Sequence, residues 1–431
     1  MDYELDSMRV NMEKSWDFKI SASKFAIILL MVSEVGFFAI PRTSSIIYSS
    51  DLINVSVLVI SVFSFFFSSG HVLSNKYLKS YQNWMLFTIA LWIALVTYST
   101  IIYHRYGQTL IQVLSTGYGY LIFGMLFPLA YYQEHLKDPD YLKKVIVNIS
   151  LIAAILSIVQ VFLYNFGITL LDIGTVTSDK FRNGTLRFGV GSDLVPFALL
   201  ITLFDSINYS ENRKKNWTFS VIFLIDILYA LKTRSLWMYL IVTIYLVIIF
   251  FVKNKRAKLL LIFIGLIVFA YILFSGVLYN LFFDLSTDSG VNMRSNTLNF
   301  YWKEFLEHPI LGMGYIKGST ATPELLSLLM GPLWYGKIRY YYRSDVGFVG
   351  LINESGIIGA IWYISIIHVL LKQSLYLLRK NNKKYIWSIG SVIYVILCSV
   401  SLIYTDSGRF VILMLIVALI NHYYLLEQKR E

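Results

Sequence analysis

About a dozen stretches of some 20 mostly apolar residues, divided by short polar segments, leave this chain few folds to adopt. Crossing about 30 Å of hydrocarbon takes roughly 20 such residues in a helix. The runs lie near 24–41, 51–69, 84–103, 108–132, 145–165, 191–207, 217–233, 235–252, 258–280, 346–372, 385–405 and 409–426, the seventh and eighth nearly continuous. In lipid every backbone N–H and C=O must be satisfied within the segment or in a closed barrel. The runs lack the alternation of barrel strands, so they predict helices and exclude sheet from the spans. The expected fold class is all-α: a polytopic integral membrane protein of about 12 transmembrane helices forming a single membrane domain over 1–431. Composition agrees, since 57% of residues are hydrophobic, 15% are charged and mean hydropathy is +0.62, outside the range of soluble domains. The 32 Tyr and 9 Trp suit helix ends set in two headgroup belts. The first twenty residues are polar, and no small-residue cleavage site follows the apolar stretch after Lys24, so the first helix is expected to stay as an anchor.

Lys and Arg set the expected orientation, because basic loops are retained in the cytoplasm. With the N-terminus inside, about 23 of the 37 basic residues fall on the cytoplasmic side, in clusters such as Lys253, Lys255, Arg256, Lys258 and Arg379, Lys380, Lys383, Lys384. Two long segments, 166–190 and 281–344, then lie outside, and long loops in compact architectures are usually functional. The larger has Leu298, Tyr301, Trp302 and Phe305 at i, i+3, i+4, i+7, which predicts a short amphipathic helix ended by Pro309 and lying on the membrane face.

Several chemistries are set aside. The single Cys398 permits no disulfide within one chain and no thiolate metal cluster. No Walker loop, HExxH or CxxC occurs, and the six His are scattered. A net charge of +11 arises from clusters between apolar runs and not from a nucleic-acid motif, so no nucleic-acid partner is expected. What remains is a set of charged residues on the expected outer face: Arg182, Arg187, Arg234, Arg294, Arg339, Arg343 and Asp345. Guanidiniums bind phosphate oxygens bidentately and stay charged, which suits a lipid diphosphate, although any one of them could instead snorkel to headgroups. Asp345 precedes an apolar helix, where a carboxylate serves either as an N-cap or as a base. Glu354 lies nine residues, some 13 Å, further along and on the opposite face. Glu34 and Asp226 are intramembrane acids, each either an ion or proton site or paired with a buried donor. Asp406 and Arg409 flank a short turn and could pair locally.

Thr233-Arg234-Ser235 opening an apolar helix resembles the "SR" helix start of bacterial O-antigen polymerases and O-antigen ligases. Arg294, Trp302 and the block His308-Pro309-Ile310-Leu311-Gly312-Met313-Gly314 resemble the family's Arg, Trp and "PxxGxG" in its large periplasmic loop. The stretch Asp345 to Gly359, with Asn353-Glu354-Ser355-Gly356-Ile357-Ile358-Gly359, is similar to the "HN…E.GiiG" helix, and Arg187-Phe188-Gly189 through Pro196 to an "R..G…P" element. Ligases carry His at the position aligned with Asp345, and the absence of that ring here weakens a ligase reading relative to a Wzy-type polymerase. The resemblance implies a glycosyltransferase joining undecaprenyl-diphosphate-linked oligosaccharide repeat units into O-antigen, capsule or exopolysaccharide at the outer face of the bacterial cytoplasmic membrane. It implies Arg187, Arg234, Arg294 and Arg343 as substrate-binding residues and Asp345 as the catalytic base, with inversion at the anomeric carbon and neither metal nor soluble cofactor. Implied partners are membrane lipids, a chain-length regulator and a flippase. An O-antigen ligase and a lipid-linked-sugar flippase are the alternatives, the second disfavoured because no internal repeat is visible.

Overall fold

A computed structural model describes residues 24–32 except 26, residue 59, and 76–431 except 137, 171–180, 183–184, 190, 192, 209–211, 275–288, 319–321, 335–336, 382–383 and 406. The chain is mostly helical among these residues. The helices are α1 Lys76–Tyr103, α2 Leu110–Gly117, α3 Leu126–His135, α4 Tyr141–Tyr164, α5 Leu194–Asn208, α6 Arg213–Ile225 and α7 Arg234–Phe251. They continue as α8 Lys255–Phe274, α9 Ser289–Glu307, α10 Pro323–Ser327, α11 Gly347–Lys380, α12 Ile386–Cys398 and α13 Ser407–Lys429. Each apolar run from 84 onward is helical over most of its described length, with 275–280 outside the described residues and 399–405 a turn; the runs at 24–41 and 51–69, with Glu34, fall largely outside them too. Five helical stretches are long and apolar enough to cross a membrane: Trp84–Tyr106, Leu110–Gln133, Tyr141–Tyr164, Arg343–Lys380 and Arg409–Lys429. Leu194–Ile207, Ser235–Phe251 and Ile386–Cys398 are apolar but shorter.

Among the described residues, strands occur only inside the two long loops: β1 Phe181–Arg182 pairs with β2 Thr185–Leu186, and β3 Met330–Trp334 with β4 Lys337–Tyr340, both antiparallel. Hairpins satisfy backbone groups where no continuous apolar run favours a helix.

The centre is α13. From Phe410 to Ile420 it is apolar on all sides, so it can be solvated on none, and that whole stretch is buried. It packs on α3, on α11 and on the 3-10 segment Tyr118–Met125 between α2 and α3. Tyr120, Trp362 and Phe410 close this contact with ring centroids 5.2–6.2 Å apart, and the Trp362 indole N–H donates to Thr88 Oγ1 at 2.8 Å.

The helices have two unlike ends. At one, Lys143 pairs with Asp205 at 2.6 Å and lies 5.4 Å over the Trp387 ring, while Tyr423 donates to Asp140 and Tyr385 donates to Glu427 at 2.6 Å. Lys384 of the 379–384 cluster joins this end, 5.2 Å over the Tyr385 ring. At the other end, α11 starts and the described part of the long loop 281–344 docks.

Docking is achieved by an interlock of two motifs. Gly356 interrupts α11 with φ 62° and ψ −161°, a conformation that only glycine adopts readily, and so frees helical hydrogen-bonding groups. Apolar surroundings demand that these groups be re-satisfied. The Asn353 carbonyl accepts from the Met313 N–H at 2.6 Å, the Glu354 carbonyl from Gly314 at 2.9 Å, and the Ile357 N–H donates to Pro309 at 2.9 Å. Gly312, at φ 66°, lies so close that a Cβ would stand 2.4 Å from the Asn353 carbonyl oxygen. The loop block 308–314 and the stretch 353–359 are thus two halves of one joint. Gly356→Ala would put its Cβ 2.1 Å from the Ile310 carbonyl oxygen, and conformational strain adds about 1–3 kcal/mol. The expected result is a fall in folded membrane protein and in thermal midpoint, read by fluorescence-detected size exclusion in detergent.

Asp226 opens a π-helical segment, Asp226–Leu231, between α6 and α7. Of the two roles the sequence leaves open for it, the buried partner is not found: Asp226 is fully buried, and neither carboxylate oxygen has a hydrogen bond among the described residues.

Candidate functional site

The docked end carries a cavity of about 510 Å³ lined by Arg187, Asp193, Arg294, Asp345 and Arg409, with Thr233 and Ser235 beside them. Its wall begins at the turn that launches α7. Lys232 takes a left-handed conformation, φ 48°, which reverses the chain after the π segment and sets Thr233 before the first turn of α7. Arg187 fixes that turn by donating from Nε to the Leu231 carbonyl at 3.0 Å and from Nη2 to Thr233 Oγ1 at 2.8 Å. The Phe188 N–H adds a bond to the Ala230 carbonyl at 3.0 Å.

Arg409 is compensated, its Nε lying 3.2 Å from an Asp193 oxygen. The sequence expectation of a local pair with Asp406 lies outside the described residues. Arg294, exposed on α9, makes no hydrogen bond or ion pair among the described residues. Among the described residues the cavity lining carries three guanidiniums, Arg187, Arg294 and Arg409, and two carboxylates, Asp193 and Asp345, a net positive lining that suits a polyanion.

Asp345 sits in the 3-10 turn Arg343–Val346 ahead of α11. The N-cap position of α11 belongs to Val346, and no side chain caps it. The capping role that the sequence leaves open for Asp345 is therefore not taken. Its carboxylate has no hydrogen bond or ion pair among the described residues.

The structure thus brings Arg187, Arg294 and Asp345 to one cavity. Arg234 stands at the first position of α7 between two lining residues, its side chain lying outside the described set, as do those of Arg182 and Arg339. Arg343 lines a different cavity together with Glu354, so it does not join the other three. Two residues apart on a 3-10 turn, side chains project about 240° apart, which sends Arg343 and Asp345 to opposite sides. Arg343 Nη1 donates to the Gly314 carbonyl at 2.6 Å and lies 3.8 Å from Glu354. Asp193 and Arg409 are site residues that sequence reasoning missed; the signal was an Arg opening an apolar helix on the same face as the others.

The predicted helix of the large loop is present as α9, but its stripe is divided. Thr297 and Tyr301 turn inward and are buried, whereas Leu298 and Trp302 are 41% and 44% exposed. Tyr301 packs with Phe300 on Tyr341 and donates to the Tyr341 carbonyl. Burial pushes the Tyr301 phenol up to about 12, against the opposing pull of Arg343, so it remains a donor at physiological pH.

Apolar helices long enough to span define an integral membrane protein, and the cavity lined by charged residues lies beside the turn ahead of α11. Residues 219–364 match the family model described as O-Antigen ligase, whose members are membrane enzymes of glycosyltransferase type acting on lipid-linked saccharides. The matched region contains Arg234, Arg294, both halves of the interlock, Arg343 and Asp345. No curated protein matches the chain significantly.

Proposed function

We propose that the protein is a polymerase that joins undecaprenyl-diphosphate-linked oligosaccharide repeat units at the outer face of the bacterial cytoplasmic membrane. The observation that carries this reading is the cavity lined by Arg187, Arg294 and Asp345, whose carboxylate has no ion pair among the described residues. A lipid diphosphate is already a good leaving group, so the protein has to align reactants, stabilise departing charge and take up one proton. An acceptor hydroxyl attacks the anomeric carbon, its proton passes to Asp345, and the bond from that carbon to the diphosphate oxygen breaks with inversion. The two negative phosphates leave against Arg187, Arg294 and Arg234. All groups come from the chain and the substrates, with no metal or soluble cofactor. The chain spans the membrane about twelve times with both ends in the cytoplasm, and Leu298 and Trp302 of α9 rest on the outer membrane face. A carboxylate at Asp345, where ligases carry His, favours polymerase over ligase.

The surface glycan of cells lacking the protein tests this. Single repeat units capped on the surface are the expected result. Full-length polymer that stays on its lipid carrier would indicate a ligase, and repeat units retained on the cytoplasmic leaflet a flippase.

A further inference from the structure

A second cavity, of about 390 Å³, lies across the 3-10 turn from the first. The backbone divides them: Arg343 and Ile403 face this one, Asp345 and Leu402 the other. We propose that this second cavity is a saccharide subsite, which holds pyranose rings of a repeat unit by their hydroxyls and apolar faces while the diphosphate occupies the first.

Its chemistry separates three classes of occupant. The charged residues of its lining are one guanidinium and one carboxylate, Arg343 and Glu354, 3.8 Å apart, so the wall is close to neutral. A phosphate would meet Glu354 at close range and find Arg343 already engaged with that carboxylate and with Gly314. A lipid chain would strip water from the ion pair and return no hydrogen bonds. Hydroxyls both donate and accept, so a vicinal pair can donate to the carboxylate and accept from the guanidinium without separating the two charges. Tyr342, 58% exposed at the rim, offers a ring face for the C–H side of a sugar. The volume falls in the usual range for small-molecule pockets. Rigid support comes from the interlock, since Arg343 grips Gly314 while Glu354 accepts the Gly314 N–H through its own carbonyl.

The proposal rests on the polymerase reading for the identity of the saccharide, and its test keeps the two apart. Full-length protein in lipid nanodiscs is titrated with two probes: the free oligosaccharide released by mild acid from lipid-linked repeat units of cells lacking the protein, and sugar-free undecaprenyl diphosphate. Tyr342→Ala and Glu354→Gln are each expected to weaken oligosaccharide binding by about tenfold, the worth of one good polar contact, and to leave sugar-free lipid binding unchanged. Tyr342→Trp, which keeps a ring at an exposed position, should bind the oligosaccharide as the wild type does. If the free oligosaccharide is itself elongated in a polymer assay, it enters as acceptor; if it only inhibits, it occupies the position of the donor's sugar, and either result supports the subsite. Oligosaccharide binding within twofold of wild type in both Tyr342→Ala and Glu354→Gln would overturn the proposal, as would wild-type protein that binds the lipid diphosphate alone. Selective loss of oligosaccharide binding in a protein that makes no polymer would keep the subsite and remove the polymerase reading.

Discussion

Arg294→Lys should lower polymer formation by about ten- to a hundredfold while membrane abundance stays at wild-type level. Arg294 is exposed and has no hydrogen bond or ion pair among the described residues, so the folded state loses nothing when its head group changes. The substrate loses more, because an ammonium is a point charge and cannot reproduce the planar fork that meets two phosphate oxygens at once. Each hydrogen bond to a charged group is worth roughly 1.5–3 kcal/mol, which sets the factor. Polymer yield from lipid-linked repeat units and purified protein, compared with the amount of inserted protein, measures it. Unchanged yield would mean that Arg294 only anchors α9 to headgroups. Arg187→Lys should cost activity too, but with a loss of stability, since Arg187 also ties the turn before α7 to the 185–189 segment.

Asp345→Asn is expected to reduce turnover by about a hundredfold or more, within the usual contribution of a general base. The substitution keeps shape and volume and removes the proton acceptor. Because Asp345 caps no helix, Asp345→Ala should be as inactive as Asn and just as stable, without the roughly 1 kcal/mol penalty of a lost cap. Turnover and thermal midpoint of the two variants measured side by side check this. Near-normal turnover in the Asn variant would remove Asp345 from the mechanism and leave the diphosphate oxygens of the substrate as proton acceptor.

Glu354 illustrates how far helical geometry carries. Its spacing from Asp345 puts it on another face, and in the structure the two do line separate cavities. Geometry along one helix gives that separation but not the partner, Arg343, which belongs to the preceding turn. The glycines of 308–314 and 353–359 stand out in the sequence only as motifs. Their spacing is explained once the break at Gly356 is seen to need donors and acceptors from another part of the chain.

The sequence by itself determined that the chain is helical and membrane-embedded, because hydropathy over some 20 residues and the backbone's need for internal hydrogen bonds are local properties. It also placed the helix in the large loop, since a 3.6-residue period is local as well. The tertiary structure alone decided which face of α9 is buried, that Arg187, Arg294 and Asp345 share one cavity, and that Arg343 does not. Those outcomes depend on how α7 packs on α12, on how α9 and α13 pack on α11, and on a 3-10 turn whose direction is fixed by its neighbours. Contacts between residues so distant in the chain are set by shape and by the satisfaction of freed backbone groups, which no window of sequence contains.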